Sequence, residues 1–170
     1  KIKLIPFIIG GHQEQGRRAG TENAAGIIGL GKACELSRKY IDIENTRVKT
    51  LRDKLENGII SKIKLTRVNG GGAAMRLPNT TNISFKNIED EAILLYLNEK
   101  SICASSGSAC TTGSLEPSHV LMAMNTPFEY AHGAIRFSLS RYTTEEEIDY
   151  VLTELPEIVN RLRALSPFDE

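Results

Sequence analysis

The most constraining feature of this chain is a helical pattern in its last thirty or so residues. Apolar residues recur there at the spacing of an α-helix with one buried face, at Ile148, Val151, Leu152, Leu155, Val159 and Leu162. Thr143 and Thr144 are each followed three residues later by a glutamate, which predicts a doubled capping box at the start of the helix. Pro156 lies inside the pattern and predicts a kink or a break, because it cannot donate a backbone hydrogen bond to the carbonyl of Leu152.

Short strand-like and helix-like segments alternate before this helix. Strands are predicted at Leu4–Ile9, Ile63–Val68, Thr81–Phe85, Ile102–Ala104 and Ala134–Leu139, and helices at Ala24–Leu36, Ile43–Ile59, Glu89–Lys100 and Pro117–Met124. The chain has no internal repeat and no low-complexity linker. The mixture of elements predicts a compact α+β fold.

Composition narrows the class of protein. The 21 basic and 21 acidic residues give a net charge of zero, which argues against a protein that coats nucleic acid or binds an anionic membrane surface. Hydrophobic residues make up 41% of the chain and charged residues 25%, which excludes wholesale disorder. No apolar run approaches the ~18–20 residues that span a bilayer. Three cysteines indicate free thiols in a reducing compartment, so a cytoplasmic location is expected.

The segment from Ala104 to Ser114 consists of small or hydroxyl-bearing residues around a single thiol, Cys110. Small neighbours leave this thiol unshielded and let the backbone move, which suits a nucleophile that works in two places. A flexible surface loop with an incidental cysteine has the same composition. Cys103, in an apolar run, and Cys34, in a helical segment, are expected to be buried packing thiols.

Two other chemistries are open to the cysteines and histidines. Cys103, Cys110, His119 and His132 could be zinc ligands, but no CxxC or HxxxH pair supplies a rigid chelating unit, so the spacing disfavours structural zinc. His119 or His132 could instead activate Cys110 as in a Cys–His hydrolase. Nothing in the sequence places either histidine near the thiol.

Thr21 and Arg136 are candidate binding residues. Thr21 follows a glycine-rich stretch without a Walker or dinucleotide pattern, and it predicts a helix N-cap or, more weakly, a phosphate contact at a helix start. Arg136 interrupts an apolar strand. Its guanidinium either faces solvent or, if it faces a cleft, suits a substrate carboxylate.

Three blocks together resemble the cysteine desulfurases of the NifS/IscS type, which are class V aminotransferases of fold type I. Gly10–Asn23 resembles the family's glycine-rich segment ending in Arg-Ser/Ala-Gly-Thr. Ser105–Leu121, with Ser-Ser-Gly-Ser-Ala-Cys at its start, resembles the mobile active-cysteine loop and the helix after it. Ile135–Asp149 is similar to the family's near-terminal block. The cysteine block is the most specific of the three.

The resemblance implies removal of sulfur from L-cysteine, dependent on pyridoxal 5′-phosphate, to give L-alanine and an enzyme persulfide. It implies that Cys110 is the nucleophile that carries the persulfide, that Arg136 binds the substrate carboxylate and that Thr21 binds the cofactor phosphate of the neighbouring subunit in a homodimer. It further implies transfer of sulfur to an iron–sulfur scaffold protein or another acceptor. Cys110 is then a possible transient cluster ligand shared with that scaffold.

One departure from the family pattern concerns the Schiff-base lysine. No lysine here lies in the Ser-x-His-Lys context that the family uses. We therefore expect residues 1–24 to be the end of a large cofactor-binding domain, with a strand and a glycine-rich loop. Residues 25–170 are expected to be a connecting helix and a small C-terminal domain, inactive alone. The alternatives are a stand-alone sulfur-relay or scaffold-docking domain and a selenocysteine lyase-like member of the superfamily.

Overall fold

A computed structural model describes residues 4–107 and 117–166 of the chain. The chain divides into two compact units, Lys1–Ile41 and Asp42–Glu170. This division lies within a long helix, whereas the sequence places a domain boundary at the start of that helix, between residues 24 and 25. The assignment of residues 1–24 to a larger domain stays a prediction.

The first unit contains a short turn, α1 (Gln13–Gly16), in which Glu14 and Gln15 have left-handed backbone angles, and most of a long helix, α2 (Ala24–Ile43). The strand predicted at Leu4–Ile9 is wrong: residues 4–9 form no strand, because none of the described residues of this unit offers a second strand to pair with. The cap predicted at Thr21 is wrong as well. Asn23 lies next to the helix start, and its side-chain oxygen accepts the hydrogen bond from the Gly26 N–H at 3.0 Å.

The second unit begins where α2 continues through a π-helical turn, Glu44–Val48, into α3 (Lys49–Lys62). Its strands are β1 (Thr66–Val68), β2 (Thr80–Phe85), β3 (Ser105–Ser106) and β4 (Ala134–Ser138). Its further helices are α4 (Asp90–Glu99), α5 (His119–Ala123), α6 (Phe128–Ala131) and α7 (Glu145–Leu165). The predicted helix at 89–100 and the predicted strands at 81–85 and 134–139 are confirmed to within one residue at each end.

The four strands form one antiparallel sheet in the order β1-β2-β4-β3. Successive side chains of a strand alternate between the two faces, so one face carries Ile83 and Phe85 of β2 with Ile135 and Phe137 of β4. All four are at most 4% exposed. The opposite face carries polar residues, among them Asn82 and Arg136.

Helices α3, α4 and α7 cover the apolar face. Their buried side chains join those of the sheet in a single core, to which the helices contribute Leu51, Leu55, Ile59, Ile93, Leu97, Ile148, Leu152, Leu155, Ile158 and Val159. Each fully buried side chain of this size stabilises the fold by about 1.5–3 kcal/mol. The predicted α+β class is therefore confirmed as a helical layer on one face of an antiparallel sheet.

Helix α7 forms one of the two predicted capping boxes. The Thr144 hydroxyl accepts from the Glu147 N–H at 3.3 Å, and the Glu147 carboxylate accepts from the Thr144 N–H at 2.9 Å. The second box is wrong, because the Thr143 hydroxyl accepts instead from the Ser140 N–H at 3.0 Å.

The break considered at Pro156 does not occur, since α7 runs unbroken from Glu145 to Leu165. Proline leaves the carbonyl of Leu152 without its intrahelical donor. The ammonium of Lys62 donates to that carbonyl at 3.0 Å. A side chain of α3 therefore satisfies the backbone group that the proline frees.

Four local expectations differ from the structure. Leu65 adopts a left-handed φ of 52°, so β1 begins at Thr66 and not at residue 63. The strand expected at 102–104 forms instead at Ser105–Ser106, where the backbone pairs with β4. Helix α5 begins at His119, two residues after Pro117.

The fourth difference concerns the packing of two thiols. Cys34 and Cys103 are both exposed, so the expectation that they pack in the core is wrong. None of the residues of α2 is buried in this structure, and Cys103 follows the buried Ile102 in extended chain, where alternate side chains point opposite ways. Among the described helices, none is long and apolar enough to cross a membrane.

Candidate functional site

The three residues expected to form the site lie in different parts of the chain. Arg136 lies on β4 in the second unit. Thr21 lies in the first unit, between α1 and α2. Cys110 lies outside the described residues.

Arg136 lies on the polar face of the sheet. Its neighbours Ile135 and Phe137 are buried on the opposite face, whereas Arg136 itself is exposed. Of the two environments that the sequence left open for Arg136, the structure shows the solvent-exposed one. Among the described residues its guanidinium has no hydrogen bond or ion pair, so its five N–H donors are available to a ligand.

Three polar residues lie in line with Arg136 across the sheet. Asn82 of β2 and Ser105 of β3 are its direct partners in the antiparallel register. Asn69 follows β1 and pairs with Asn82 through a backbone hydrogen bond from its N–H at 2.9 Å. We call Asn69, Asn82, Arg136 and Ser105 the polar row.

Hydrogen bonds hold one half of the polar row in place. The Asn69 side-chain nitrogen donates to the Asn82 side-chain oxygen at 2.6 Å and to the Ser84 hydroxyl at 2.7 Å. Ser84 is fully buried, so this contact gives the Asn69 amide a rigid support. The Asn69 oxygen is itself buried without a partner among the described residues. The oxygen of the Asn82 side chain is therefore held on the side of Asn69, away from Arg136.

A charged cluster anchors the strand that carries Asn82. The Glu56 carboxylate of α3 accepts two hydrogen bonds from Arg76, at 3.0 and 2.5 Å, and one from the Thr81 hydroxyl at 2.5 Å. Hydrogen bonding to the Arg76 guanidinium holds the pKa of Glu56 below its ordinary value. Since Thr81 precedes Asn82, this cluster ties the polar row to the helical layer.

The segment that contains Cys110 leaves the sheet beside Arg136. The Gly107 N–H donates to the carbonyl of Ala134 at 2.9 Å, which extends the pairing of β3 with β4 by one residue. The chain re-enters the described structure at Pro117, and α5 follows with Leu121 buried. The root of the cysteine segment is thus attached to the same strand that presents Arg136.

Thr21 lies in a tight turn stabilised by Arg18. The Arg18 guanidinium donates to the carbonyls of Gly20 at 3.1 Å and Thr21 at 2.6 Å. Gly20 has a φ of 94°, which L-residues with a side chain rarely adopt. The exposed Thr21 hydroxyl has no hydrogen bond among the described residues, so it is free to contact a phosphate oxygen.

His119 and His132 are the histidines considered as metal ligands or general bases. No three His, Cys, Asp or Glu side chains within residues 4–107 and 117–166 lie close enough together to hold a metal ion. His132 stacks edge-on against Phe128, with its Nδ1 3.8 Å from the Glu89 carboxylate, and His119 is exposed. The position of either histidine relative to Cys110 is not described.

Sequence reasoning found Arg136 but missed Asn69, Asn82 and Ser105. The alternation of β2 was a usable signal for Asn82, because Thr81, Ile83 and Phe85 share the buried face and leave Asn82 on the polar one. No local signal shows that Asn82 lies opposite Arg136, since the two strands are far apart in the chain.

The comparisons of this chain with known proteins all indicate the same family. Residues 9–151 match the family model for the class-V aminotransferases. A cysteine desulfurase of Trichormus azollae is 62% identical over 167 residues, which cover 98% of this chain and 42% of that protein. The cysteine desulfurase NifS of Azotobacter vinelandii is 61% identical over 166 residues, which cover 98% of this chain and 41% of that protein.

Solved structures agree with the sequence matches. The crystal structure of a NifS-like protein from Rickettsia africae superposes with a TM-score of 0.81 at 34% identity, covering 94% of this chain and 41% of that one. The chain therefore spans about two fifths of the length of the relatives it matches. The fold agrees with that of NifS-like proteins of fold type I, as the three sequence blocks imply. Since the family model covers most of its residues, this chain belongs to the class-V aminotransferase family.

Proposed function

We propose that the protein to which this chain belongs is a cysteine desulfurase, which converts L-cysteine to L-alanine and stores the sulfur as a persulfide on Cys110. The similar proteins from Trichormus azollae and Azotobacter vinelandii carry that activity in their names. The observation that carries the proposal is the unpaired Arg136 guanidinium on the exposed face of β4, beside the root of the Cys110 segment.

Arg136 binds the carboxylate of the substrate. A guanidinium presents two parallel N–H groups that match the two oxygens of a carboxylate. The flanking strands β2 and β3 fix the backbone of Arg136 on both sides, so the side chain starts from a rigid support. Binding of the carboxylate at this point orients the substrate and leaves its thiol end free for Cys110.

Cys110 receives the sulfur. In the balanced reaction, the carbon–sulfur bond of cysteine breaks and a sulfur–sulfur bond to Cys110 forms, so that cysteine and a thiol give alanine and a persulfide. The thiolate is the attacking form of Cys110. Cys110 follows Gly107 by three residues, and three residues of chain span at most about 11 Å.

Thr21 contacts the phosphate of pyridoxal 5′-phosphate, held at a neighbouring subunit of a homodimer. Its free hydroxyl and the turn that Arg18 stabilises fit this contact. When bound, the cofactor supplies the electron sink that makes the carbon–sulfur bond of cysteine breakable. We infer that the Schiff-base lysine belongs to a part of the protein outside these residues, since the similar proteins are more than twice as long.

The persulfide passes to an iron–sulfur scaffold protein or another acceptor. A segment of small residues around Cys110 is suited to carry sulfur from the substrate to a partner. Cys110 is also placed by this proposal as a transient cluster ligand shared with the scaffold. A cytoplasmic location agrees with the free thiols of the chain.

The test uses the full-length protein with added pyridoxal 5′-phosphate and L-cysteine. We expect equal amounts of L-alanine and protein persulfide in a single turnover, and loss of both in Cys110→Ser with unchanged binding of the cofactor. Cys103→Ser is the matched control, because Cys103 is also an exposed thiol, and it retains both products. A persulfide that persists in Cys110→Ser would contradict the role of Cys110, and no alanine from the unaltered protein would contradict the function.

A further inference from the structure

We propose that Asn82 is a second binding residue for the substrate carboxylate and that Asn69 is the positioning residue that orients it. The proposal rests on the function proposed above and adds to it a donor from a different strand. In this proposal, side chains of two adjacent strands bind the carboxylate: Arg136 of β4 and Asn82 of β2.

The first step is the orientation of the Asn82 amide. Its oxygen accepts the hydrogen bond from Asn69 at 2.6 Å. The same Asn69 nitrogen donates to the buried Ser84 hydroxyl at 2.7 Å, so Asn69 cannot easily turn away. This pattern assigns the oxygen of Asn82 to the side of Asn69 and its NH₂ group to the other side.

The second step is the distance between Asn82 and Arg136. Backbone hydrogen bonds join Leu139 to Asn79 and Phe85 to Gly133, and bonded pairs alternate with non-bonded pairs along the ladder. The pair of Asn82 with Arg136 is therefore a non-bonded pair. In such pairs the Cα atoms lie only about 4.5 Å apart and the side chains approach most closely.

The third step is the chemistry of the two groups that meet. A guanidinium has five donors and no acceptor, and the Asn82 oxygen is already used by Asn69. The free NH₂ group of Asn82 and the guanidinium are both donors, so they cannot satisfy each other. Within the described parts of the chain neither has an acceptor. An anion with several lone pairs, such as a carboxylate, satisfies both at once.

The contribution of Ser105 is different. Its hydroxyl donates to the carbonyl of Ser106 at 3.2 Å, so its proton is already used. The free donors of the polar row are therefore those of Arg136 and Asn82. This limits the proposed contact to two side chains and makes the effect of each separable by substitution.

The experiment compares full-length, cofactor-loaded variants with two competitive inhibitors, L-alanine and L-alaninamide, which differ in the carboxylate. In Asn82→Ala we expect the KM for L-cysteine and the inhibition constant of L-alanine to rise about tenfold or more, as for loss of a hydrogen bond to a charged group. The inhibition constant of L-alaninamide and the kcat for L-cysteine should change less than threefold. Asn69→Ala should show the same pattern with a smaller rise.

Ser138→Ala is the matched control, since Ser138 lies on the same strand and face as Arg136 and is exposed. It should leave all four constants unchanged. Asn82→Asp keeps the size of the side chain if Asn82→Ala does not fold, and its negative charge should weaken L-alanine binding even more. Equal loss of affinity for alanine and alaninamide, or no loss for either, in an active enzyme would overturn the proposal. An unaltered protein that is inactive with L-cysteine would instead refute the proposed function.

Discussion

Replacement of Glu56 by glutamine tests the cluster that joins the helical layer to the strand bearing Asn82. The carboxylate accepts two hydrogen bonds from Arg76 and one from the buried Thr81 hydroxyl. Glutamine keeps the size of the side chain but has one acceptor and one donor group in place of two acceptors. Its NH₂ group must therefore face either a guanidinium donor or the Thr81 hydroxyl.

The expected loss follows from the exposure of the pair. The Arg76 and Glu56 side chains are 19% and 14% exposed. Removal of one partner costs about 3–5 kcal/mol for a fully buried pair, whereas an exposed pair contributes about 0–1 kcal/mol. With water reaching part of this pair, we expect Glu56→Gln to lower the free energy of unfolding by about 2–3 kcal/mol near pH 7, measured by urea denaturation.

The stability difference between the unaltered protein and Glu56→Gln should also depend on pH. The pKa of Glu56 in the folded state lies below its ordinary value of 4.5, chiefly because Arg76 donates hydrogen bonds to the carboxylate. Its stabilisation is therefore complete above the unfolded-state pKa and is lost as the pH falls through the lower folded-state pKa. The difference between the unaltered protein and Glu56→Gln should be constant from pH 6 to 8 and should shrink below about pH 4.5.

Glu35 offers a matched control. It pairs with Lys32 at 2.8 Å, but both side chains are at least 60% exposed, so Glu35→Gln should cost less than about 0.5 kcal/mol. Equal effects of the two substitutions, or a loss in Glu56→Gln that does not depend on pH, would refute the reasoning from burial.

Two further substitutions test the packing and the capping of this unit. A Cβ at Gly133 would overlap the backbone carbonyl of Phe85. Gly133→Ala should therefore lower the free energy of unfolding by about 2 kcal/mol or more. A loss under about 0.5 kcal/mol would contradict this close approach. Thr144→Ala should cost about 1 kcal/mol in the same urea assay through loss of its capping box. Thr143→Ala, which removes no capping bond of α7, should cost less, and the reverse order would show that the other threonine is the cap.

Several elements were predictable because their signals are local. The apolar spacing of α7 and the threonine–glutamate pair at its start lie within a few residues of each other, and both are present in the structure. The strand that carries Arg136 was predictable for the same reason, because it is a short apolar run. Such patterns depend only on neighbours along the chain, so they can be interpreted without knowledge of the fold.

Other expectations failed where a distant contact decided the outcome. The strand expected at residues 102–104 forms at Ser105–Ser106, because that is where the backbone pairs with β4. The carbonyl left open by Pro156 is satisfied by Lys62 from another helix. None of these outcomes is visible in a short window of sequence, because each depends on which element packs against which.

The sequence by itself determined the α+β class, helix α7 and the strands that carry Asn82 and Arg136. Only the tertiary structure decided what lies beside that arginine. The pairing of β2 with β4 places Asn82 opposite it, and the contact with Asn69 turns the free donor of that amide toward the same ligand position. Register is set by backbone hydrogen bonds and core packing between strands far apart in the chain, and a shift of one residue would place a buried side chain there instead.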